Sequence, residues 1–237
     1  YSFEVTGESE TQQLPGQTDF SEYTTSGNRF NTAVTITEVT GRTNFWKTDA
    51  NGTLSIDKTD IEYMAKFGGL YVKSDDFIYS GRLTFTQTGV DFWDGARFVI
   101  GYEDPNEFEV IDFQRGGIFY TKRTDDVSSG WQHYTSIPYL FKEGESYDFA
   151  IRIIDDKLYV EVNGELLIDG FALPEDRCTK GFGVFNSKSA FTVEDLFIAE
   201  LEKTEEEETL PPPAEVETGC NGSVSVWSGA GFLVCVA

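Results

Sequence analysis

The stretch Tyr147-Asp-Phe-Ala-Ile-Arg-Ile-Ile-Asp-Asp-Lys-Leu-Tyr-Val-Glu-Val-Asn-Gly-Glu-Leu-Leu-Ile168 decides the fold class. On both sides of Asp155-Asp156, large apolar residues alternate with polar ones, which is the period of strands that bury one face. Asn163-Gly164 is a strong hairpin signal, because both central positions of a type I′ turn need a positive φ angle. The stretch therefore predicts an antiparallel meander of three strands.

Short strands separated by turns are also predicted on both sides of this meander. They cover residues 1–5, 69–73, 81–86, 97–102, 108–113, 118–122, 181–185 and 191–201. Strands that recur about every 8–12 residues are typical of a sandwich or a barrel. Only residues 57–67 carry a helical pattern, and it is weak. We expect an all-β protein, a two-sheet antiparallel jelly-roll sandwich.

The composition limits the classes of partner. The 237 residues include 41 acidic and 18 basic side chains. The resulting net charge of −23 repels nucleic-acid phosphates and anionic lipid headgroups. The acidity indicates either solubility or an outward-facing surface that holds divalent cations. The three cysteines and the single histidine, His133, form no zinc motif and no catalytic-triad pattern, so we expect His133 to be structural.

The chain divides into four predicted segments. Residues 1–18 are a lead-in, 19–201 the sandwich, 202–223 an acidic and Pro-rich tether, and 224–237 the start of a truncated membrane segment. The tether cannot build a core, and its proline run favours an extended chain. The last segment is apolar but shorter than the roughly 20 residues that span a bilayer. A short buried or disordered tail is the alternative. We expect an extracellular protein that is anchored to a cell surface and meets the membrane only through this segment.

Four segments resemble, in their order, the concanavalin A-like lectin/glucanase superfamily, in particular its laminin G-like and 3-keto-disaccharide hydrolase-like branch. They are residues 44–56, 101–108, 143–165 and 181–197. Residues 217–223, before the apolar run, resemble the C-terminal membrane anchors of Gram-positive surface proteins. The resemblance implies the sandwich but no single activity, because this fold hosts lectins, glycosidases, adhesion modules and inert spacers.

The carboxylates that a glycosidase of this fold needs do not match. Retaining glucanases with this fold resemble one another in a Glu-x-Asp-x-x-Glu strand motif. The nearest counterpart is Glu107-Phe-Glu-Val-Ile-Asp-Phe113, in which Ile111 breaks the pattern and Asp112 points to the opposite face. Glu107 and Glu109 are expected on a solvated strand face. Catalysis is therefore disfavoured.

Aromatic side chains in polar, turn-like contexts are the candidates for a sugar site, because a sugar stacks its apolar face on a ring. Trp93 and Trp131 have such contexts, and Tyr102 and Tyr134 could flank them, whereas Trp46 is expected in the core. For the first two, a core role and a site role both stay open. The chain is predicted to be a non-catalytic carbohydrate-binding or adhesion module of a bacterial cell-surface protein, and its expected partner is a glycan or a surface protein. The alternatives are a glycoside-processing enzyme, or a structural module that self-assembles into a surface layer or filament.

The resemblance also implies a structural calcium ion between the N-terminal segment and the last strand. Calcium is bound by six to eight oxygen atoms. Asp19 and Asp195 stand at the corresponding positions and are the expected ligands. The alternative is that Asp19 is a turn residue and Asp195 a solvated strand residue.

Overall fold

The structure, a computed structural model, describes residues 18–29, 35–38, 45–57, 60, 62–68 and 72–204. Within these ranges, fifteen strands form two antiparallel sheets, which confirms the predicted all-β jelly-roll sandwich. The same ranges contain no helix that could cross a membrane. The predicted strand at residues 1–5, most of the tether and the whole of segment 224–237 lie outside the described residues.

The first sheet contains the meander predicted from the sequence. Its strand order is β13-β12-β11-β6-β15-β4-β3, and β1 pairs with β15. The bounds are Tyr23–Arg29 (β1), Lys47–Thr48 (β3), Leu54–Ile56 (β4), Phe77–Gln87 (β6), Ser146–Ile154 (β11), Lys157–Val162 (β12), Glu165–Ala172 (β13) and Ala190–Lys203 (β15). Asn163 and Gly164 have φ angles of 52° and 79°, as the predicted type I′ turn requires.

The second sheet carries the candidate site. Its strand order is β10-β9-β8-β7-β14-β5-β2. The bounds are Thr35–Glu38 (β2), Glu62–Gly68 (β5), Gly95–Asp104 (β7), Glu107–Gln114 (β8), Gly117–Arg123 (β9), Trp131–Pro138 (β10) and Lys180–Ser187 (β14). Every neighbouring pair in this order is antiparallel.

The core between the two sheets is built largely from aromatic rings. Phe98 of β7 packs edge-to-face on Tyr79 of β6, with ring centroids 5.4 Å apart, and lies 4.3 Å from the ring of Phe149 on β11. Burying one such ring stabilises the fold by about 1.5–3 kcal/mol. Trp46 is buried in the same core, as predicted. The many aromatic residues of the chain therefore serve mainly to hold the two sheets together.

Three local features differ from the sequence-based expectations. Residues 62–67 of the weak helical pattern lie in strand β5, whereas Asp57 and Asp60 lie outside any strand. Val72 and Lys73, predicted to end a strand, lie outside any strand, and residues 69–71 are not described. Trp131 does not lie in a turn but opens strand β10, which the sequence pattern did not reveal.

Candidate functional site

The outer face of the second sheet carries a row of side chains from four neighbouring strands. Directly opposite residues of paired strands share a face. The register places Phe185 of β14 opposite Arg97 of β7, Arg97 opposite Asp112 of β8, and Asp112 opposite Phe119 of β9. The next residue along β7, Phe98, faces the core. The row therefore points away from the core.

A buried ion pair lies in the middle of this row. The Arg97 Nε atom contacts the Asp112 carboxylate, and only 6% and 1% of the two side chains is exposed. Thr121 Oγ1 donates a hydrogen bond of 2.9 Å to Asp112 Oδ2. Burial raises the pKa of Asp112, while the guanidinium of Arg97 and the Thr121 hydroxyl oppose the shift. Each charge is therefore tolerated at this depth because the other compensates it.

Aromatic rings hold the guanidinium of Arg97 in place. Its Cζ atom lies 4.6 Å from the ring centroid of Trp131 and 4.9 Å from that of Phe185, within cation–π range. The Trp131 ring also meets Phe108 edge-on at 5.6 Å. A half-buried Trp131 is thus both a packing partner of Arg97 and a wall of the outer face.

The loop from β6 to β7 presents two further rings to solvent. Phe92 and Trp93 each keep 58% of their surface exposed. The loop is held by buried Asp94, whose Oδ2 accepts a hydrogen bond of 2.8 Å from the Asp91 amide. A Cβ atom on Gly89 would come within 2.1 Å of the Asp94 Cβ atom, so only glycine leaves room for this arrangement. The exposed rings therefore sit on a tightly packed loop.

The loop and the outer face enclose a cleft of about 470 Å³. Its lining consists of aromatic rings together with polar side chains: Phe92, Trp93, Phe119, Trp131, Glu62, Arg97, Asp112, Gln114, Thr121 and His133. Arg97 Nη1 has no hydrogen-bond partner among the described residues, although it is buried. An apolar wall beside a few fixed hydrogen-bonding groups is the usual composition of a small-molecule site.

The four aromatic residues predicted for the site fall into three environments. Trp93 and Trp131 line the same cleft. Tyr102 packs, like Trp131, against a hydrophobic cluster on the outer face of the sheet but does not line the cleft, and Lys66 Nζ lies 4.1 Å from its ring centroid. The cluster consists of Met64, Val99, Phe108, Val110 and Phe185. Tyr134 packs against the core on Tyr120, with ring centroids 4.8 Å apart. Tyr134 therefore packs on the core side of the sheet and does not flank this cleft.

The sequence interpretation missed several cleft residues. Arg97 and Asp112 are charged residues with large apolar neighbours in their strands, a signal that such charges are buried and paired. Phe92 precedes Trp93 but was not singled out. His133 was expected to be structural, yet its exposed side chain lines the cleft.

Glu109 does not lie on a solvated face, contrary to the prediction. It is fully buried at the inner side of the second sheet, where it accepts hydrogen bonds from the Tyr120 hydroxyl and from the Cys178 amide. Arg177 Nε lies 3.7 Å from its Oε2 atom. Burial raises the pKa of Glu109 despite these partners. Glu109 and Asp112 therefore face opposite sides of the sheet and cannot act on one substrate.

The predicted calcium ligands are not brought together. Strand β1 pairs Tyr23 with Lys203, so Asp19, which precedes Tyr23, lies near that end of β15. Asp195 is eight residues from Lys203, or about 26 Å along an extended strand. The described residues also contain no cluster of three or more His, Cys, Asp or Glu side chains that could hold a metal. The described structure therefore gives no support to a site shared by Asp19 and Asp195, and the structural calcium ion stays a prediction.

No protein-family model and no curated protein sequence matches the chain. Solved structures with a similar fold do match. A family 66 carbohydrate-binding module from Bacillus subtilis has a TM-score of 0.51 and 10% identity, covering 77% of this chain and 98% of its own. A Lotus tetragonolobus seed lectin has a TM-score of 0.50 and 12% identity, covering 75% and 99%.

The acidic lectin of winged bean, solved with methyl-α-D-galactose, has a TM-score of 0.51 and 11% identity, covering 76% of this chain and 100% of its own. Identities this low are informative about the fold alone. The chain has the β-sandwich fold that is also found in these lectins and in the carbohydrate-binding module.

Proposed function

We propose that this protein is a carbohydrate-binding module whose site is the cleft between the β6–β7 loop and the outer face of the second sheet. The observation that carries the proposal is the exposed indole of Trp93 beside the buried pair of Arg97 and Asp112. A sugar ring stacks its apolar C–H face on an aromatic ring while its hydroxyls bind planar polar groups. The lectins and the carbohydrate-binding module with the same fold support this assignment.

The proposed module binds its glycan without cleaving it. A glycosidase needs two carboxyl groups on either side of the scissile bond. Asp112 is tied to Arg97 and Thr121, and Glu109 faces the opposite side of the sheet. Glu62 also lines the cleft, and its Oε1 accepts a hydrogen bond of 3.2 Å from the Ser187 hydroxyl. These engaged carboxylates favour recognition over hydrolysis.

A glycan array tests the proposal with the wild-type protein, Trp93→Ala and a control, Tyr23→Ala. Tyr23 is a half-buried aromatic residue on β1 of the other sheet. We expect the wild type and the control to bind the same glycans, and Trp93→Ala to lose roughly tenfold or more in affinity, as stacking residues at binding sites commonly do. Equal binding by Trp93→Ala would place the site elsewhere.

Incubation of each bound glycan with the protein separates the remaining alternatives. We expect no new reducing ends. Release of reducing ends would establish a glycoside-processing enzyme instead. If the protein binds no glycan on the array and releases no reducing ends, ordered filaments or layers in electron micrographs would establish the self-assembling structural module.

We also infer an extracellular location, with the module held at a cell surface by the acidic and Pro-rich tether. The support is the order of the tail elements in the sequence and the net charge of −23. Cell fractionation of the native source tests this inference, with protease accessibility on intact cells as the second readout. Recovery of the full-length protein from the soluble cytosolic fraction would overturn it.

A further inference from the structure

A second groove adjoins the cleft and shares one of its walls. It has a volume of about 590 Å³ and is lined by Val90, Phe92, Arg115, Pro138, Tyr139 and Leu140, together with Gly116. Phe92 lines both this groove and the cleft. The two cavities therefore lie side by side, with the Phe92 ring between them.

Exposed apolar surface is concentrated at this place. The exposed large hydrophobic side chains of the described residues are Val90, Phe92, Trp93 and Leu140, with 90%, 58%, 58% and 63% of their surfaces accessible. All four line one or both of the two cavities. Large apolar side chains gathered in one exposed patch indicate an interaction surface rather than chance exposure.

The packing around Phe92 supports a shared wall. A Cβ atom on Gly116 would come within 1.9 Å of the Phe92 ring, so the ring lies directly on this glycine. Phe92 also meets the ring of Phe119 edge-on at 6.5 Å. The ring is thus supported from below while more than half of its surface stays open to a ligand.

We infer that the second groove is a further subsite for the same glycan, so that the protein binds a chain of several sugar residues that runs from Trp93 over Phe92 to Tyr139 and Leu140. This inference rests on the proposed function of the cleft. The occupant follows from continuity, because a chain bound in the cleft reaches the groove by crossing one ring. The groove itself offers apolar surface and the exposed guanidinium of Arg115, which can donate hydrogen bonds to sugar hydroxyls.

Isothermal titration calorimetry with oligosaccharides of increasing length tests the subsite. The probes are β-1,4-linked glucan, mannan and xylan oligosaccharides from one to six residues, together with the corresponding series for any glycan that binds on the array. We expect affinity to rise roughly tenfold or more between one and three residues, because a second aromatic contact adds a favourable stacking interaction. Trp93→Ala should weaken all lengths.

Leu140→Ala and Phe92→Ala should reduce the gain in affinity with oligosaccharide length by roughly threefold to tenfold. In Leu140→Ala, the shortest ligand should keep its wild-type affinity. Leu166→Ala on β13 of the other sheet is the matched control and should bind every length as the wild type does. Circular dichroism confirms that each variant is folded. Because Leu140 is exposed, its truncation leaves the fold intact.

The outcomes separate the inference from the function on which it rests. Affinity that is independent of chain length, or a length dependence unchanged in Leu140→Ala, would overturn the subsite and leave the carbohydrate-binding function standing. Absence of binding to any glycan would overturn both. A concentration-dependent dimer in sedimentation experiments that Leu140→Ala abolishes would instead assign the groove to a second copy of the chain.

Discussion

Replacing either partner of the buried pair of Arg97 and Asp112 should destabilise the sandwich strongly. The effects of the two replacements should not add in the double variant. Both side chains are almost fully buried, at 6% and 1% exposure. Removing one partner of such a pair leaves an uncompensated charge and costs about 3–5 kcal/mol. Arg97→Met keeps part of the packing but also loses the cation–π contacts to Trp131 and Phe185, and Asp112→Asn still accepts the hydrogen bond from Thr121.

We therefore expect each single variant to lose about 3–4 kcal/mol of unfolding free energy. The double variant should lose about 4–5 kcal/mol, because no unpaired charge remains in it. The coupling free energy between the two positions is then about 2–3 kcal/mol. Urea unfolding followed by tryptophan fluorescence and by circular dichroism measures all four corners of this cycle.

A second cycle on the exposed pair of Arg82 and Asp148 is the control. Its side chains are 48% and 63% exposed on the other sheet, and its Nε–Oδ1 distance is 2.7 Å. Water screens this pair, so we expect a coupling below about 1 kcal/mol. If the Arg97→Met and Asp112→Asn effects were additive within about 0.5 kcal/mol, the pair would not compensate buried charge and the account of the cleft floor would be wrong.

Three further predictions concern a pH dependence, the loop and calcium. Burial raises the folded-state pKa of Glu109 above its ordinary 4.5, so ionisation of Glu109 opposes folding, and its contribution to stability should fall as pH rises from about 4.5 through the raised value. Urea unfolding between pH 4 and 8 should show Glu109→Gln gaining stability relative to the wild type as pH rises; a constant difference between the two profiles would contradict this. Gly89→Ala should lower the thermal midpoint and weaken glycan binding through displacement of Trp93, since its Cβ atom has no room, at a cost of about 1–3 kcal/mol; an unchanged midpoint and affinity would refute the packing argument. Any rise of the thermal midpoint with calcium should be the same in Asp195→Ala as in the wild type, and a rise lost only in the variant would restore Asp195 as a ligand.

The meander was predictable because its signals are local. Alternation and turn residues lie within a few positions of one another, and the φ angles of Asp155, Asp156, Asn163 and Gly164 are all positive, as such turns need. The register of β11 with β12 follows from the first of these turns. No distant residue had to be known for this part of the fold.

Strand β5 was not predicted because Met64 interrupts its alternation. Tyr63, Ala65 and Phe67 face the core, while Met64 faces the hydrophobic cluster on the outer side of the sheet. Apolar residues on both faces weaken the alternation that identifies a strand. The short apolar run of residues 63–65 is as compatible with a helix as with a strand.

Strand β10 was missed for a different reason. Its register with β9 shifts between His133 and Thr135, so the strand contains a bulge at Tyr134. An extra residue in one strand interrupts the alternation and turns the following side chains. His133 and Tyr134 are adjacent and face opposite sides of the sheet, so Tyr134 packs against the core while His133 lines the cleft.

The partners of the buried charged residues could not be identified from the sequence because they lie on other strands or loops. Arg97 is compensated by Asp112. Glu109 is compensated by Arg177 and by the Cys178 amide, which lie in a loop about 70 residues away. In sequence, a carboxylate inside a strand has the same appearance whether it is solvated or buried. Only the pairing of strands distinguishes the two cases.

The two tryptophans illustrate how this pairing resolves the choice between a core role and a site role. Trp93 stands on a loop with most of its ring free, so removing it changes the surface available to a ligand more than the fold. Trp131 contacts Arg97, Phe108 and Phe185 while it also lines the cleft, so it is both a packing partner in the fold and a wall of the proposed site. Because the Arg97 guanidinium is held between the rings of Trp131 and Phe185, the polar groups at the cleft floor keep their positions before any ligand arrives. A sugar that enters the cleft would therefore meet a preorganised site, in which little conformational freedom remains to be lost on binding.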